Sequence, residues 1–230
     1  MTTMTPHLSP RALRILAVCT VLTAFTTFAV HLISFPTSTF EERLALSQNP
    51  LYLSRLWVVL LHIALVTVSM FGMALVLWRR SVMLTGLGFM SFLLFAWGEI
   101  TRTAFAIFVL NRGWRTEFLA NADASNQAML KVLMTSWGYV NSMLFFLFIM
   151  GFTLGTLFYG LTLLKKTEVV NIWDVRLGAL LLVWAVLNSL GAFGAASVLH
   201  IPSLPDWFGW TFQPFARVCI AVWLWRESQR

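Results

Sequence analysis

Charge is scarce in this chain. Asp, Glu, Lys and Arg make up 11% of its 230 residues, where a soluble domain carries about a quarter. An ordinary water-soluble fold is excluded, because its surface would need more charged groups than the chain has. Cysteine is nearly absent as well. Cys19 and Cys219 both fall within apolar runs and no C-x-x-C spacing exists, which leaves no disulfide framework and no thiolate metal site. In hydrocarbon two such thiols behave as small hydrophobes. Asp and Glu number 9 against 16 Lys and Arg, a formal charge of +7. That excess does not point to nucleic acid, since the bases stand singly or in pairs at segment ends and form no stripe. No low-complexity tract or internal repeat interrupts the sequence.

What the chain has in abundance is apolar length. Hydrophobic residues reach 59%, with 20 Phe and 11 Trp, and the mean hydropathy is +0.79. Six segments are long enough to cross about 30 Å of hydrocarbon at about 1.5 Å per residue. They run approximately over 13–35, 53–78, 82–110, 136–164, 175–199 and 207–225. The expected fold is all-α: a polytopic membrane bundle of six transmembrane helices forming one domain over 1–230. The first run is longer than a signal-peptide core and lacks a small-x-small cleavage site, so it is expected to remain as a span. Orientation follows from the bases. Arg11, Arg14, Arg79, Arg80, Lys165, Lys166, Arg176, Arg226 and Arg230 fall on one side; Arg43, Arg55, Arg112, Arg115 and Lys131 share the other with most of the acids. This predicts both termini in the cytoplasm.

Two outer loops carry structure of their own. Thr39 followed by Glu42 is a capping-box spacing and predicts a short interfacial helix. Asp123 predicts the N-cap of a lead-in helix that runs on into span four. Trp57, Trp78, Trp114, Trp137, Trp173, Trp207 and Trp210 lie near segment ends, as in an interfacial aromatic belt.

Small and polar residues recur at helical spacing, which marks packed faces in a membrane bundle. Span one shows Thr20, Thr23, Ala24, Thr27 and His31; span two shows His62, Ser69 and Gly72; span three shows Glu99 and Arg102. Span four adds Asn141 and Gly151-x-x-x-Gly155, span five Asn188, and span six Gln213 and Arg217. Counted from the outer ends, His31 lies roughly 6 Å deep, Asn141 about 8–10 Å, His62 and Arg102 about 12–14 Å, and Arg217 about 15 Å, with Glu99 and Asn188 near the midplane. The polar groups cluster in the outer half and the inner half is nearly bare of them. Glu99 and Arg102, at i and i+3, share a face and can pair. Arg217 reaches a similar depth. If the three meet, one carboxylate faces two guanidiniums, leaving about one positive charge unpaired in a low dielectric.

The runs NPLYLSRLWVVLLHI (Asn49–Ile63), GTLFYGLTLLKK (Gly155–Lys166) and RLGALLLVWAVL (Arg176–Leu187) carry a likeness of layout. Through them the chain resembles a group of bacterial integral-membrane proteins of unknown function. The resemblance implies six spans and a bacterial inner membrane, and implies no chemistry.

The leading expectation is therefore non-enzymatic: binding or sensing of an anionic amphiphile or small anion in a polar pocket open to the outer side. Arg102 and Arg217 would contact the anion, because the planar guanidinium fork suits carboxylate or phosphate. Glu99 would orient the arginines, and His62, Asn141, Asn188 and His31 would supply neutral hydrogen bonds. The expected partners are a lipid or amphiphilic small molecule and the membrane itself, with a homo-oligomer or a partner membrane subunit also compatible. A plain structural ion pair is the alternative for Glu99 and Arg102. A proton-coupled transporter using Glu99 and His62 as a relay is a second reading. A membrane enzyme or a b-type haem protein is the third reading, and haem held by His31 and His62 ranks low because they lie on adjacent spans at different depths. No three-ligand set for a metal and no nucleophile motif is apparent.

Overall fold

The structure is a computed structural model that describes residues 8–165, 171–195 and 206–229, with the side chains of all but 194–195 and 206–210. Its long elements are α1 (Pro10–Leu32), α3 (Pro50–Leu77), α4 (Val82–Phe105), α6 (Ala124–Leu164), α7 (Ile172–Ala195) and α8 (Asp206–Glu227). Two short helices, α2 (Phe40–Ala45) and α5 (Thr116–Ala120), and a 3-10 turn at Leu46–Gln48 complete one end. A π-helical segment, Ala106–Arg115, joins α4 to α5. The chain is all-helical over these residues, and five stretches are long and apolar enough to cross a membrane: Pro10–Leu32, Pro50–Leu77, Val82–Ala120, Ala124–Leu164 and Ile172–Phe193. The end of the expected fifth span, 196–199, and the belt residues Trp207 and Trp210 lie outside the described side chains.

Helix α1, α3 and α7 each begin three residues before the apolar run that announces them. The cause is capping. Ser9 Oγ accepts from Ala12 N at 3.2 Å with Pro10 at the first helical position, where proline has no N–H to waste. Asn49 Oδ1 accepts from Leu51 N and Tyr52 N, both at 3.0 Å, ahead of Pro50. Hydropathy marks what hydrocarbon would cover, whereas a helix starts at its polar cap. The expected capping box is present: Thr39 Oγ1 accepts from Glu42 N while Glu42 takes up the Thr39 N–H. Asp123 caps α6, which runs 41 residues without a break, about 62 Å.

Around the bundle, α1 packs on α3 and α8, α4 on α3 and α6, and α7 on α6. Gly151 is what lets α6 reach α4: a Cβ there would stand 2.5 Å from Phe95 N and 2.7 Å from Ser91 O. The half of the bundle nearer the two termini is filled by Met70, Met73, Leu77, Phe92, Tyr159, Leu163, Leu181, Trp184, Ile220 and Trp223, all buried. Tyr159 Oη donates to Met70 O at 3.0 Å, tying α6 to α3.

Just outside the expected spans, this end holds a buried polar cluster. Asp174 is 0% exposed. It accepts from Arg80 Nη2 at 2.8 Å and from Trp223 Nε1 at 2.7 Å, clamping the α3–α4 turn, the start of α7 and the end of α8. A base taken for a loop residue is half of a buried pair. The aromatic belt is corrected in part: Trp57 and Trp78 are exposed, but Trp137 is buried and stacks on Phe105 with centroids 3.9 Å apart.

Candidate functional site

At the end that carries α2 and the π-helical segment, the bundle opens into a cavity of about 620 Å³. All seven residues singled out from the sequence line it: His31, His62, Glu99, Arg102, Asn141, Asn188 and Arg217. They arrive from six helices. One wall is a stripe of α6, with Met134, Trp137, Asn141, Phe145, Phe148 and Phe152 at helical spacing. The facing side is polar, built from α1, α3 and α8 with Thr27, His31, Arg55, His62, Gln213 and Arg217. One flank of the well is aromatic and the other is cationic.

Glu99 is 5% exposed, and Arg102 holds it with both arms. Nε reaches Oε2 at 2.8 Å and Nη2 reaches Oε1 at 2.5 Å. This fork-on-fork geometry satisfies both carboxylate oxygens from within a single helix. The Arg102 guanidinium also lies 5.5 Å from the Phe145 ring centroid.

Arg217 is treated very differently. It is 2% exposed, and among the described residues its Nε and Nη1 have no hydrogen-bond partner. Its guanidinium lies 5.7 Å from the Phe152 ring and 5.8 Å from the Trp184 ring. Phe145 and Phe152 are seven residues apart on α6, so the two guanidiniums stand about 10 Å apart along the bundle. Both Glu99 oxygens are thus used by Arg102, and among the described residues no ion pair joins Glu99 to Arg217. Pro214 lies one turn before Arg217 and offers the α8 backbone no N–H.

His62 Nδ1 lies 2.7 Å from Thr26 Oγ1. The single Thr26 proton is directed to Leu22 O at 3.0 Å and Thr23 O at 3.2 Å. That network assigns the proton between the two side chains to His62 Nδ1 in the neutral tautomer, which leaves Nε2 as an acceptor. Among the described residues, no group of three or more His, Cys, Asp or Glu is placed to hold a metal ion.

Three lining arginines were not singled out from the sequence: Arg43 on α2, Arg55 near the start of α3, and Arg115 at the end of the π-helical segment. Each is anchored on neutral oxygen, and Arg115 also bonds the Tyr52 side chain. Arg43 Nε donates to Thr39 O at 3.2 Å, Arg55 Nε to Val30 O at 3.1 Å, and Arg115 Nη1 to Asn111 Oδ1 at 2.7 Å. Among the described residues none of the three pairs with a carboxylate. The nearby acids are otherwise engaged: Glu42 closes the capping box and Glu117 accepts from Asn126.

Arg115 reaches the well only because the helix changes type. It follows Arg102 by 13 residues, which in an unbroken α-helix would turn it roughly 140° away from the Arg102 face. Bonding from i to i+5 widens the coil and slows its rotation. Two side chains hold that wider coil in place: Asn111 Nδ2 donates to Ala106 O at 2.5 Å and Thr116 Oγ1 to Asn111 O at 2.8 Å, both five residues back. Such segments recur at functional sites.

No protein-family model, no curated protein and no solved structure matches the chain. What the well does must be read from its own chemistry.

Proposed function

We propose that the chain is a six-span protein of the bacterial inner membrane, with both termini in the cytoplasm and the well facing the outer side, and that it binds an anionic amphiphile there. Helix α8 supplies the sixth span. The observation that carries this reading is Arg217: a guanidinium buried to 98% (2% exposed), aimed into a cavity, with two donors unused among the described residues. Burying a charge without a partner costs several kcal/mol, so the position makes sense when a ligand completes it. An acid head answers the charge of Arg217, and the Phe145–Phe148–Phe152 wall takes the apolar part. Glu99 and Arg102 are already matched to each other, which makes them a rigid, neutral part of the lining.

The geometry gives less support to a proton relay. Both Glu99 oxygens are engaged by Arg102, and below the well the bundle is packed with the Trp184, Tyr159 and Trp223 core.

The test is direct. Purified protein in neutral maltoside detergent is exchanged free of bound lipid and titrated with dodecanoate while its melting temperature is followed. The wild type is expected to rise in melting temperature and to show the adduct by native mass spectrometry, with both effects lost in Arg217→Met. If dodecanoate neither shifts the melt nor remains bound, the proposal is wrong. A Soret band in the purified protein would instead support haem held by His31 and His62.

A further inference from the structure

The well contains more uncompensated charge than one acid head can answer. Five arginines line it against a single carboxylate, and that carboxylate is consumed by Arg102. Four guanidiniums remain: Arg217 at the floor, Arg55 above it, and Arg43 and Arg115 at the rim. Among the described residues the lining contains no lysine. Arginine alone is the selection expected where planar, two-pronged contact with an oxyanion matters.

These four are spread along the well. Arg217 is level with Phe152. Helix α2 is level with Lys131, whose Nζ lies 5.0 Å from the Phe40 ring centroid. Twenty-one residues of α6 separate those two levels, about 30 Å of helix. Allowing for the reach of Arg43 down from the rim, roughly 20 Å divides the floor cation from the rim cations. A single carboxylate cannot span that distance. Among the described residues the rim acids Glu41, Glu42 and Glu117 pair with none of the three upper guanidiniums, which are anchored on neutral oxygens. Those anchors hold Arg43 and Arg55 at one N–H each, while Arg115 also bonds the Tyr52 side chain, and the N–H groups left over face a ligand.

We infer that the ligand is an elongated molecule with two separated anionic groups, one seated on Arg217 at the floor and the other between Arg43 and Arg115 at the rim, with an apolar stretch between them along the α6 phenylalanines. This rests on the reading of the well as an anionic-amphiphile site and narrows it to bis-anionic amphiphiles. Two free inorganic anions filling the same stations would share that chemistry, and the test separates the two sources.

The probes are α,ω-dicarboxylates from decanedioate to docosanedioate, each compared with the monocarboxylate of equal chain length, and inorganic phosphate alone. Affinity is read by the quenching of tryptophan fluorescence in neutral maltoside. Diacids are expected to bind about tenfold more tightly than their matched monoacids, with an optimum chain length inside the series and weaker binding on either side. Arg43→Gln, at an exposed position on a helix with no buried residue, is expected to bring the best diacid down to its monoacid. Arg217→Met should abolish the chain-length optimum. Equal binding of diacids and monoacids overturns the inference while leaving the anionic-amphiphile site standing. Binding by neither sinks both. A diacid advantage that survives Arg43→Gln, or saturation by phosphate that blocks monoacid and diacid alike, also overturns it.

Discussion

Replacing Arg217 by methionine should make the empty protein more stable, although it destroys the site. An ion moved from water to the interior costs several kcal/mol even after relaxation. The rings of Phe152 and Trp184, at 5.7 and 5.8 Å, return about 1 kcal/mol each. With no hydrogen-bond partner for Nε or Nη1 among the described residues, about 2–3 kcal/mol of that cost stands uncompensated. Methionine is unbranched and flexible enough to occupy the same space against the two rings. For a chain of this size 1 kcal/mol corresponds to about 2–4 °C, so Arg217→Met should melt about 5–10 °C above the wild type. Tryptophan fluorescence in neutral maltoside, after removal of bound amphiphiles, reads the transition. Addition of dodecanoate should close the gap by raising only the wild type. A variant that melts below the wild type in anion-free detergent refutes the reasoning, because Arg217 would then be a structural counter-charge whose loss the bundle cannot absorb.

Three further outcomes follow from other parts of the structure. Asp174→Ala leaves Arg80 without its carboxylate and Trp223 Nε1 without an acceptor, and should cost about 3 kcal/mol; Asp174→Asn, which keeps an acceptor for Trp223, should recover part of that in the same melt. Gly151→Ala places a methyl 2.5 Å from a backbone nitrogen of α4 and should cost about 1–3 kcal/mol, whereas Gly86→Ala, with open space around it, should melt as the wild type does. The N–H and hydroxyl of Ser38 and the N–H of Thr39 hold the Glu42 carboxyl below its ordinary value of 4.5. The support it gives α2 is therefore complete above that value and lost as pH falls through the lowered one. Hydrogen exchange of the 38–45 amides should accelerate relative to other capped turns in that acidic range, and Glu42→Gln should remove the dependence.

Much of the site was legible because polar residues stand out in apolar helices. His31, His62, Glu99, Arg102, Asn141, Asn188 and Arg217 each interrupt a hydrophobic run, and a 3.6-residue period turns such interruptions toward the interior. All seven line the well. Arg43 and Arg55 were passed over because they lie in polar flanks, where a base also reports topology. Arg115 was hidden for a geometric reason: the α-helical period points it away, and only the Asn111 and Thr116 bonds to carbonyls five residues back reveal the change of coil. An Asn and a Thr five residues apart flanking a polar stretch are a faint signal, and one shared by many ordinary turns. The Asp174 clamp was missed because Arg80 and Asp174 are 94 residues apart and each looks at home in a loop. Trp137 was assigned to a belt by its position at the end of an apolar run, while its stacking on Phe105 is a contact with another helix that hydropathy does not report.

The length of α6 has a mechanical side. It is one unbroken rod of 41 residues, pressed against the backbone of α4 at Gly151, and that contact is its natural fulcrum. Met134, on the same rod, lies about 25 Å up the arm, whereas Phe152 sits beside the pivot. A rocking of five degrees would shift the wall at the opening by about 2 Å and leave the floor in place. Such a motion would widen the well from the tip, beyond the second close approach of α6 to α4 at Gly98 and Leu144, and a molecule wedged near the tip would have leverage on the rod that a molecule at the pivot lacks.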